Sequence, residues 1–593
     1  MKLSDYVAAF LVDQGLQHAF VVSGGASLHL IHGIANAQGI DYICCHHEQA
    51  AAMAADAYSR VTNNLGVAIA TSGPGATNMI TGICGSYYDS VPVLYITGQV
   101  STFRMAGKTG VRQIGFQETP IVEMCKPITK YAAQINDATR IRYELEKAVY
   151  LAKSGRTGPV LIDIPDNLQR AEIDVFSLET FCPEGDVNTD PSNLREQAET
   201  ILERLRHSQR PIVIGGWGLH LANCEESFKE LVERLGLPVA LTWGAADILP
   251  FDHPLRVGTF GTHGTRCGNF AVQNADFVLS LGSRLDTKAT GSPPDTFARD
   301  AWKAVVDIDE SELRKFSQFG LRIDCPVHAD VRQVITRLLS CCKRSVDYSE
   351  WLTKIGHWRK KYPVIDVDRP ALASVNPYVF IESLSEHLPE PAYILIDTGS
   401  AIAWTMQAFK PKSQHRLWHD FNNTAMGWAV PAAIAAALAA PQMAVYCIVG
   451  DGSLMMNLQE LATIAKHRLN VKIICFDNRG YAMIRQTQDQ WLDGHYVASS
   501  EEGGLGFPDL AEVAKAFCFD VVSLNDLSEI HDVFAAMTQS QKPFFCDVKI
   551  DPLCRVVPQV KFGRPNEDPE PLLPREEFLH EMIIEPLDIS LTA

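Results

Sequence analysis

Two strand-like segments of this chain end in residues that could bind a divalent cation. Gly450-Asp451-Gly452 follows the apolar run Ala444–Val449, and Asp477-Asn478 closes a second apolar run, with twenty-four residues between Gly452 and Asp477. Mg²⁺ prefers near-octahedral oxygen ligands and takes one or two protein carboxylates, which leaves positions for phosphate oxygens and water. The spacing therefore predicts a Mg²⁺ site made by the Asp451 carboxylate, the Asn478 side-chain oxygen and the backbone carbonyl of Gly480.

Gly-Asp-Gly alone is a common turn, so two unrelated turns are the alternative interpretation. The glycines beside Asp451 let the backbone approach a phosphate closely. Parallel strands that are buried on both faces read as continuous apolar runs, and ligands bind beyond the carboxyl ends of such strands. The combination favours a site for a cation together with a phosphate group.

The composition limits the class of protein. With 593 residues the chain predicts roughly three domains, and 46% hydrophobic with 21% charged residues indicates a globular protein. The net charge of −18 argues against nucleic acid and anionic membranes as partners. No secretory signal is evident, so we expect a cytoplasmic protein whose fifteen cysteines stay reduced.

Apolar runs alternate with helical patterns in three regions, which predicts an α/β fold of three doubly wound parallel-sheet domains plus a C-terminal tail. The expected domains are 1–178, 190–345 and 370–552, with linkers at 182–191 and 345–377 and a surface-draped tail at 553–593. The long uncharged stretch 428–450 predicts an Ala-rich buried helix and then a strand, because Pro431 and Pro441 interrupt it. Twelve strands are predicted: 19–22, 67–71, 93–97, 160–164, 211–215, 237–241, 277–281, 304–308, 393–396, 444–449, 472–476 and 544–549.

A further candidate residue precedes an almost wholly apolar helical stretch in the first region. His47-Glu48-Gln49 leads into the Ala-rich segment Ala50–Arg60. A carboxylate at the start of such a helix is expected to be partly buried. The alternative is a purely structural acid favoured by the helix dipole.

Six stretches in this order resemble the acetohydroxyacid synthase and pyruvate oxidase branch of the thiamine diphosphate enzymes, over about residues 4–550. They are His47-Glu48-Gln49, Thr71–Asn78, Phe116-Gln117-Glu118, Gly158–Pro165, Ala425-Met426-Gly427 with Pro431–Ala433, and the Asp451…Asp477-Asn478 pair. The resemblance implies a pyrimidine-binding first domain, a central FAD-like (transhydrogenase-like) domain and a third domain that binds diphosphate and Mg²⁺.

The same resemblance implies roles for individual residues. Glu48 would activate the cofactor through its aminopyrimidine ring, which promotes loss of the thiazolium C2 proton. Phe116 and Gln117 would line the substrate cavity, and Met426 would hold the cofactor bent. The implied cofactor-binding residues are Gly25, Ser72, Gly75, Asn78, Gly399, Ser400, Ala425, Met426, Gly452, Ser453, Tyr481, Ala482 and Met483.

The implied reaction is the decarboxylation of pyruvate or a similar 2-oxo acid, followed by transfer of the acyl unit to a second carbonyl compound. A simple 2-oxo acid decarboxylase, a flavin-dependent oxidase and a non-catalytic binding relative are the alternatives. The family builds its site from the first domain of one chain and the third domain of a partner. The expected assembly is therefore at least a homodimer, with a homotetramer favoured, acting on small molecules only.

The chain departs from the biosynthetic synthases at three places. Thr487 stands where they have a Trp that favours the larger keto-acid acceptor, Lys288 stands in place of an Arg, and Pro165 is followed by Asp166-Asn167 instead of Lys-Asp. Thr487 and Lys288 are therefore predicted to shape a different acceptor pocket. The pattern after Asn478 is closer to carboligases of sugar-nucleotide and secondary metabolism. FAD binding and a flavin-free central domain are both left open.

Overall fold

The computed structural model describes residues 1–183, 193–342, 346–365 and 374–592. Within these ranges the strands form three six-stranded sheets, all parallel, interleaved with helices. The predicted α/β class with three doubly wound domains is confirmed. The predicted first linker, 182–191, lies almost entirely outside the described residues, as do 343–345 and 366–373 of the second.

The first sheet has the strand order β2-β1-β3-β4-β6-β5. Its central strands are buried along their whole length because both faces are covered by helices. The strands are β1 His18–Val21, β2 Asp41–Cys44, β3 Gly66–Ala70, β4 Val93–Gln99, β5 Tyr131–Gln134 and β6 Val160–Pro165; the helices are α1 Leu3–Asp13, α2 Leu28–Asn36, α3 Glu48–Thr62, α4 Pro74–Asn78, α5 Ile80–Tyr88, α6 Ile121–Cys125, α7 Ile141–Lys153 and α8 Asp166–Gln169.

The middle sheet has the order β12-β11-β10-β7-β8-β9, which is the dinucleotide-binding order. Its strands are β7 Pro211–Gly215, β8 Val239–Leu241, β9 Arg256–Thr259, β10 Phe277–Leu281, β11 Trp302–Asp307 and β12 Cys325–His328; its helices are α9 Leu194–His207, α10 Gly218–Leu221, α11 Glu225–Leu235, α12 Arg266–Gln273, α13 Thr287–Thr290, α14 Glu310–Gln318, α15 Val331–Cys341 and α16 Ser349–Lys361.

The third sheet, β14-β13-β15-β16-β18-β17, repeats the strand order of the first. Its strands are β13 Ala392–Ile396, β14 His415–Trp418, β15 Ala444–Gly450, β16 Val471–Asp477, β17 Asp520–Leu524 and β18 Phe544–Lys549; its helices, with the last two in the tail, are α17 Pro377–His387, α18 Ser400–Ala408, α19 Ala429–Ala439, α20 Asp451–Leu454, α21 Leu461–His467, α22 Ala482–Trp491, α23 Leu510–Ala516, α24 Ile530–Gln539, α25 Arg575–Glu581 and α26 Asp588–Leu591.

The strand order fixes where a ligand can bind. In open parallel sheets, ligands lie beyond the carboxyl ends of the strands at the point where the order reverses. That point falls between β1 and β3 in the first sheet and between β13 and β15 in the third. In the middle sheet it falls between β7 and β10.

All twelve predicted strands form, to within one or two residues at most of their ends. The stretch 428–450 folds as predicted into the buried helix α19 and the strand β15. Across the described ranges, no helix is both long enough and apolar enough to cross a membrane.

Two expectations about the connecting segments were wrong. The second predicted linker contains α16, because Trp351, Ile355 and Trp358 recur at helical spacing and are buried in the middle domain. The tail is more than a surface-draped extension, since Phe578 is fully buried in the same apolar cluster. The Glu581 carboxylate accepts hydrogen bonds from Lys354 Nζ, Lys361 Nζ and Trp358 Nε1 at 2.7–2.8 Å.

One buried charge joins all three domains. The Arg60 guanidinium, on α3, donates to Asp56 and Asp89 at 2.8 Å and to the His419 backbone carbonyl of the third domain at 3.1 Å. It also lies over the rings of Trp217, Phe421 and Trp428, which belong to the middle and third domains. The same side chain therefore contacts every domain.

Candidate active site

The predicted cofactor-activating residue sits beside the strand-order reversal of the first sheet. Glu48 is the first residue of α3 and is half-buried. Its Oε2 accepts a hydrogen bond from Asn78 Nδ2 at 2.9 Å. A Cβ placed on Gly75 would lie 3.4 Å from Glu48 Oε1, so this glycine keeps the backbone close to the carboxylate.

Other predicted residues of the first domain converge on the same loop. Gln117 lies against Gly73, where a Cβ would be 2.9 Å from the Gln117 Cβ. The backbone of Gln117 has φ +65, a strained conformation for a residue other than glycine, and such strain clusters at functional sites. Ser72 follows Thr71, whose hydroxyl accepts from the N–H of Ala26 at 3.1 Å, and Gly25 precedes Ala26. The loops at residues 24–26, 71–78 and 117 are thus one assembly.

Phe116 is placed differently from the expectation that it lines a cavity. Its side chain is 85% exposed in the single chain, and Phe103 nearby in the same loop region is 72% exposed. A side chain this exposed lines a cavity only if another surface covers it.

The three predicted cation ligands are brought together at the ends of β15 and β16. Asp451 Oδ2 accepts hydrogen bonds from the N–H groups of Asn478 and Gly480, each at 3.1 Å. Burial, and then the nearby Asp477, raises the pKa of Asp451 to about 7. A bound cation would favour its ionised form. One carboxylate, one amide and one carbonyl fit Mg²⁺, which takes few protein carboxylates.

The buried Arg485 holds Asn478, the second predicted cation ligand. Arg485 Nη2 donates to both Asn478 O and Asn478 Oδ1 at 3.0 Å. An amide oxygen has two lone pairs, so Oδ1 can accept from Arg485 and still coordinate a metal. Gly480 has no room for a side chain, because a Cβ would be 2.4 Å from Ser499 O and 2.9 Å from Arg485 Nη2.

The predicted diphosphate loop follows β13. Gly399 has φ +82, and open space lies where its Cβ would be. Ser400 begins α18, and its buried hydroxyl has no hydrogen-bond partner within the described part of the chain. Donors at the start of a helix suit a phosphate group. These residues fit the diphosphate that the sequence predicts.

A buried carboxylate fixes the turn that carries Met426, the residue predicted to hold the cofactor bent. Asp397 accepts from the N–H groups of Gly427 and Ala429, the first and third residues after Met426, at 3.0 and 2.9 Å. A Cβ on Gly452 would lie 3.4 Å from the Met426 methyl and 2.2 Å from the Tyr481 ring. Met426, Gly452 and Tyr481 therefore share one surface.

The remaining predicted residues of the third domain adjoin this surface. Ala425 precedes Met426 and its N–H donates to Asp420. Ser453 follows Gly452 in α20; burial raises the pKa of Asp397, and the Ser453 side chain is among the groups that oppose this rise. Ala482 and Met483 open α22 directly after Tyr481.

The two residues predicted for the acceptor pocket, Thr487 and Lys288, lie in different domains of the chain. Thr487 lies in α22, and its hydroxyl donates to Met483 O at 3.1 Å. Lys288 lies in the middle domain, with Nζ 5.2 Å from the centre of the Trp243 ring. The Thr487 hydroxyl, which is predicted to lie in the acceptor pocket, is thus engaged with the backbone.

Lys288 lies in a cleft at the order reversal of the middle sheet. The cleft is bordered by the loops after β7 and β10 and by aromatic side chains. Gly216 and Gly218 pack directly on Gly282, since a Cβ on either would lie within 3 Å of it. Contact between the two loops therefore requires glycine at both positions.

Sequence reasoning missed three residues that organise the site. Asp397 closes an apolar strand before Thr-Gly-Ser, and this placement is the signal from which its role could have been predicted. Arg60 and Glu460 gave no signal, because their partners are far away in sequence.

Three parts of the chain match models of the thiamine pyrophosphate enzymes. The N-terminal TPP binding domain matches residues 1–121, the central domain residues 198–338, and the C-terminal TPP binding domain residues 397–548. The chain therefore has the three domains of a thiamine pyrophosphate enzyme, and the cofactors that the site fits are thiamine diphosphate and Mg²⁺.

Full-length relatives narrow this class. The acetolactate synthase large subunit of Lactococcus lactis subsp. lactis is 32% identical over 95% of both chains. That of Pyropia yezoensis is 34% identical over 94% of this chain and 93% of its own length. Acetolactate synthase isozyme 2 large subunit of Escherichia coli K12 is 32% identical over 96% and 99%. The chain belongs to the acetolactate synthase family of thiamine diphosphate enzymes. Its closer resemblance to secondary-metabolism carboligases stays a prediction.

We expect Glu48→Gln to lower turnover by about a hundredfold or more, while the protein folds and binds cofactor. The amide fills the same space and can keep the contact with Asn78, but it cannot exchange a proton with the cofactor, and such acid–base contributions run about 10²–10⁴-fold. Steady-state turnover at saturating thiamine diphosphate measures this. Near-normal turnover would remove the role assigned to Glu48.

Asp451→Ala should weaken cofactor binding in addition to lowering the rate. The variant loses the only carboxylate assigned to the cation that bridges to the diphosphate. Titration of thiamine diphosphate at limiting Mg²⁺ gives the affinity, with Asp451→Asn as the matched variant that keeps one oxygen. An unchanged affinity in Asp451→Ala would show that the cation binds elsewhere.

Proposed function

We propose that this enzyme decarboxylates pyruvate, or a similar 2-oxo acid, and joins the resulting acyl unit to a second carbonyl compound. The observation that carries the proposal is the presence of both half-sites, Glu48 with Asn78 and Asp451 with Asn478, each beyond the carboxyl ends of parallel strands. The names of the full-length relatives support the same reaction. When bound, thiamine diphosphate would supply a nucleophilic carbon and a ring that stabilises the negative charge left by loss of CO₂.

The chain's own residues orient the cofactor and manage one proton. Asn78 binds one oxygen of Glu48 and so fixes the direction of its carboxylate. That carboxylate would hold or release the proton at the aminopyrimidine ring. Asp451, Asn478 and the Ser400 hydroxyl would hold the cation and the diphosphate, while Met426 would support the bend between the two rings.

The experiment that tests this reaction supplies purified protein with pyruvate, Mg²⁺ and thiamine diphosphate, together with a range of aldehyde and ketone acceptors. Products are identified by mass. Joined 2-hydroxyketone or 2-acetolactate products support the proposal. Free aldehyde as the sole product would favour the simple decarboxylase, and no consumption of 2-oxo acid would favour a non-catalytic relative.

A homodimer with shared sites is the smallest assembly in this proposal, and a homotetramer is the expected state. The exposed Phe116 supports it, because a residue that should line the substrate cavity faces solvent in the single chain, as does Phe103 nearby. Large exposed apolar patches mark interaction surfaces. A second copy of the chain, with its third domain against this loop, would cover them.

The cleft of the middle domain supports the flavin-binding alternative over a flavin-free spacer. It lies at the order reversal of a sheet with the dinucleotide-binding order, where nucleotides bind in this architecture. A cytoplasmic location is proposed because the fifteen cysteines of the chain are expected to stay reduced.

Thr487→Trp should shift the acceptor preference toward small apolar keto acids. The Trp ring fills space that Thr leaves open in the predicted pocket. A loss of space equal to one or two methylenes corresponds to about 1–3 kcal/mol, or roughly ten- to two-hundredfold in selectivity. Competition between a small keto acid and a bulky carbonyl acceptor measures the product ratio.

Thr487→Val is the matched control, because it keeps the shape and removes only the hydroxyl that already bonds Met483 O. Its product ratio should stay near that of the unmodified enzyme. Equal ratios in all three proteins would show that position 487 does not face the acceptor.

A mixture of two inactive variants should regain activity if the site is shared between chains. In a heterodimer of Glu48→Gln and Asp451→Ala, one site carries both substitutions and the other carries neither. Random reassembly after mild denaturation then gives about a quarter of the original activity. A mixture as inactive as its components would mean that each chain forms its own complete site.

A further inference from the structure

The backbone in front of Glu48 is held by a side chain of the third domain. The N–H groups of His46 and His47 both donate to Glu460 Oε1, at 2.8 and 3.1 Å. The other oxygen of Glu460 accepts from the Thr463 hydroxyl at 2.7 Å, and the whole side chain is buried. A buried carboxylate is tolerated only when such donors satisfy it.

The position of these bonds is that of a helix cap. α3 begins at Glu48, and His47 is its N-cap residue, whose ring accepts from the Gln49 N–H. In a capping box, a Glu or Gln three residues after the N-cap returns to the N-cap N–H. That position is Ala50 in this chain, which has no acceptor. Glu460 supplies the missing acceptor from another domain.

This arrangement leaves the Glu48 carboxylate available. An acid in the first turn of a helix is attracted to the free N–H groups at that end. Here His47 and Glu460 already engage the nearest of them, and Glu48 Oε2 is bound by Asn78. The direction of Glu48 is therefore set by groups other than its own helix.

We propose that Glu460 is a positioning residue for Glu48: it caps α3 from the third domain and thereby fixes the carboxylate that activates the cofactor. The functional half of this statement rests on the proposed function, because it takes Glu48 as the activating group. The structural half, the capping of α3, stands independently of it.

The cap also links two parts of the catalytic machinery. Glu460 follows the predicted cation ligand Asp451 by nine residues, through α20 and a short 3₁₀ turn at Leu458–Glu460. A displacement of this segment would change the backbone at His46 and His47 as well. The segment thus connects the cation loop with the start of α3 in one chain.

The first test measures the cap without cofactor. Amide hydrogen exchange, followed by mass spectrometry on the peptide containing residues 46–49, is compared in the full-length unmodified chain and in Glu460→Gln and Glu460→Ala. Loss of a bond to a charged acceptor should speed exchange about tenfold or more in Glu460→Ala and less in Glu460→Gln, whose amide oxygen still accepts. Gln459→Ala is the matched control, since it lies on the same turn and should leave exchange unchanged.

The second test measures activation of the bound cofactor. With thiamine diphosphate and Mg²⁺ saturating, replacement of the cofactor C2 proton by deuterium should slow between about tenfold and a hundredfold in Glu460→Ala, because a small displacement of a catalytic group has effects of this size. Cofactor affinity should stay within about threefold, since no assigned ligand is altered. The C2 exchange rate of Glu460→Gln should lie between those of Glu460→Ala and the unmodified enzyme. The rate of Gln459→Ala should match that of the unmodified enzyme.

Two outcomes would overturn the proposal. Unchanged amide exchange at residues 46–49 in both Glu460 variants would show that Glu460 does not cap α3. Faster amide exchange with a normal C2 exchange rate would show a cap that does not position Glu48. If Glu460→Ala does not fold, Glu460→Gln decides both points. If the unmodified enzyme shows no carboligation but amide exchange is faster in the Glu460 variants, the proposed function is contradicted. The capping of α3 by Glu460 is then still supported.

Discussion

A guanidinium buried where three domains meet loses its water, and the surrounding protein must replace that water completely. Around Arg60, two carboxylates and one backbone carbonyl supply the acceptors, and aromatic rings cover the planar faces. Burial alone would lower the pKa of Arg60, but Asp56 and Asp89 raise it above its ordinary value. Removing one partner of such a buried pair costs about 3–5 kcal/mol. The positions of the first, middle and third domains are therefore mutually dependent.

This dependence matters because the half-sites lie on separate sheets. The first and third sheets have the same strand order, so each presents its ligand loops at an equivalent reversal. The first sheet places Glu48 and Gln117 there, and the third places Ser400 and Asp451. One continuous apolar cluster, which includes α3 and α19, runs between these two domains. The loops are consequently carried by a shared core and not by flexible connections.

Sequence patterns predicted the inner strands and failed at the edges. The six strands not predicted are the two outer strands of each sheet, β2, β5, β9, β12, β14 and β17. An edge strand is covered less completely, so its sequence need not be a continuous apolar run; β2, for example, has one buried residue in four. The motif residues could be predicted because their chemistry is local to a strand end. The role of Glu460 could not, because the backbone donors of His46 and His47 lie in another domain and nothing near Glu460 in sequence indicates them.

The tail has a consequence for the order in which the protein can be made. The middle sheet and its helices are synthesised before the third domain, yet Phe578, Met582 and Ile584 complete the apolar cluster around Trp358. Until these residues leave the ribosome, that face of the middle domain is uncovered. Transiently exposed apolar surface of this kind is prone to aggregation. The middle domain is thus completed only after the third domain has been synthesised, and a chain interrupted before residue 575 would carry both catalytic half-sites beside an unfinished middle domain.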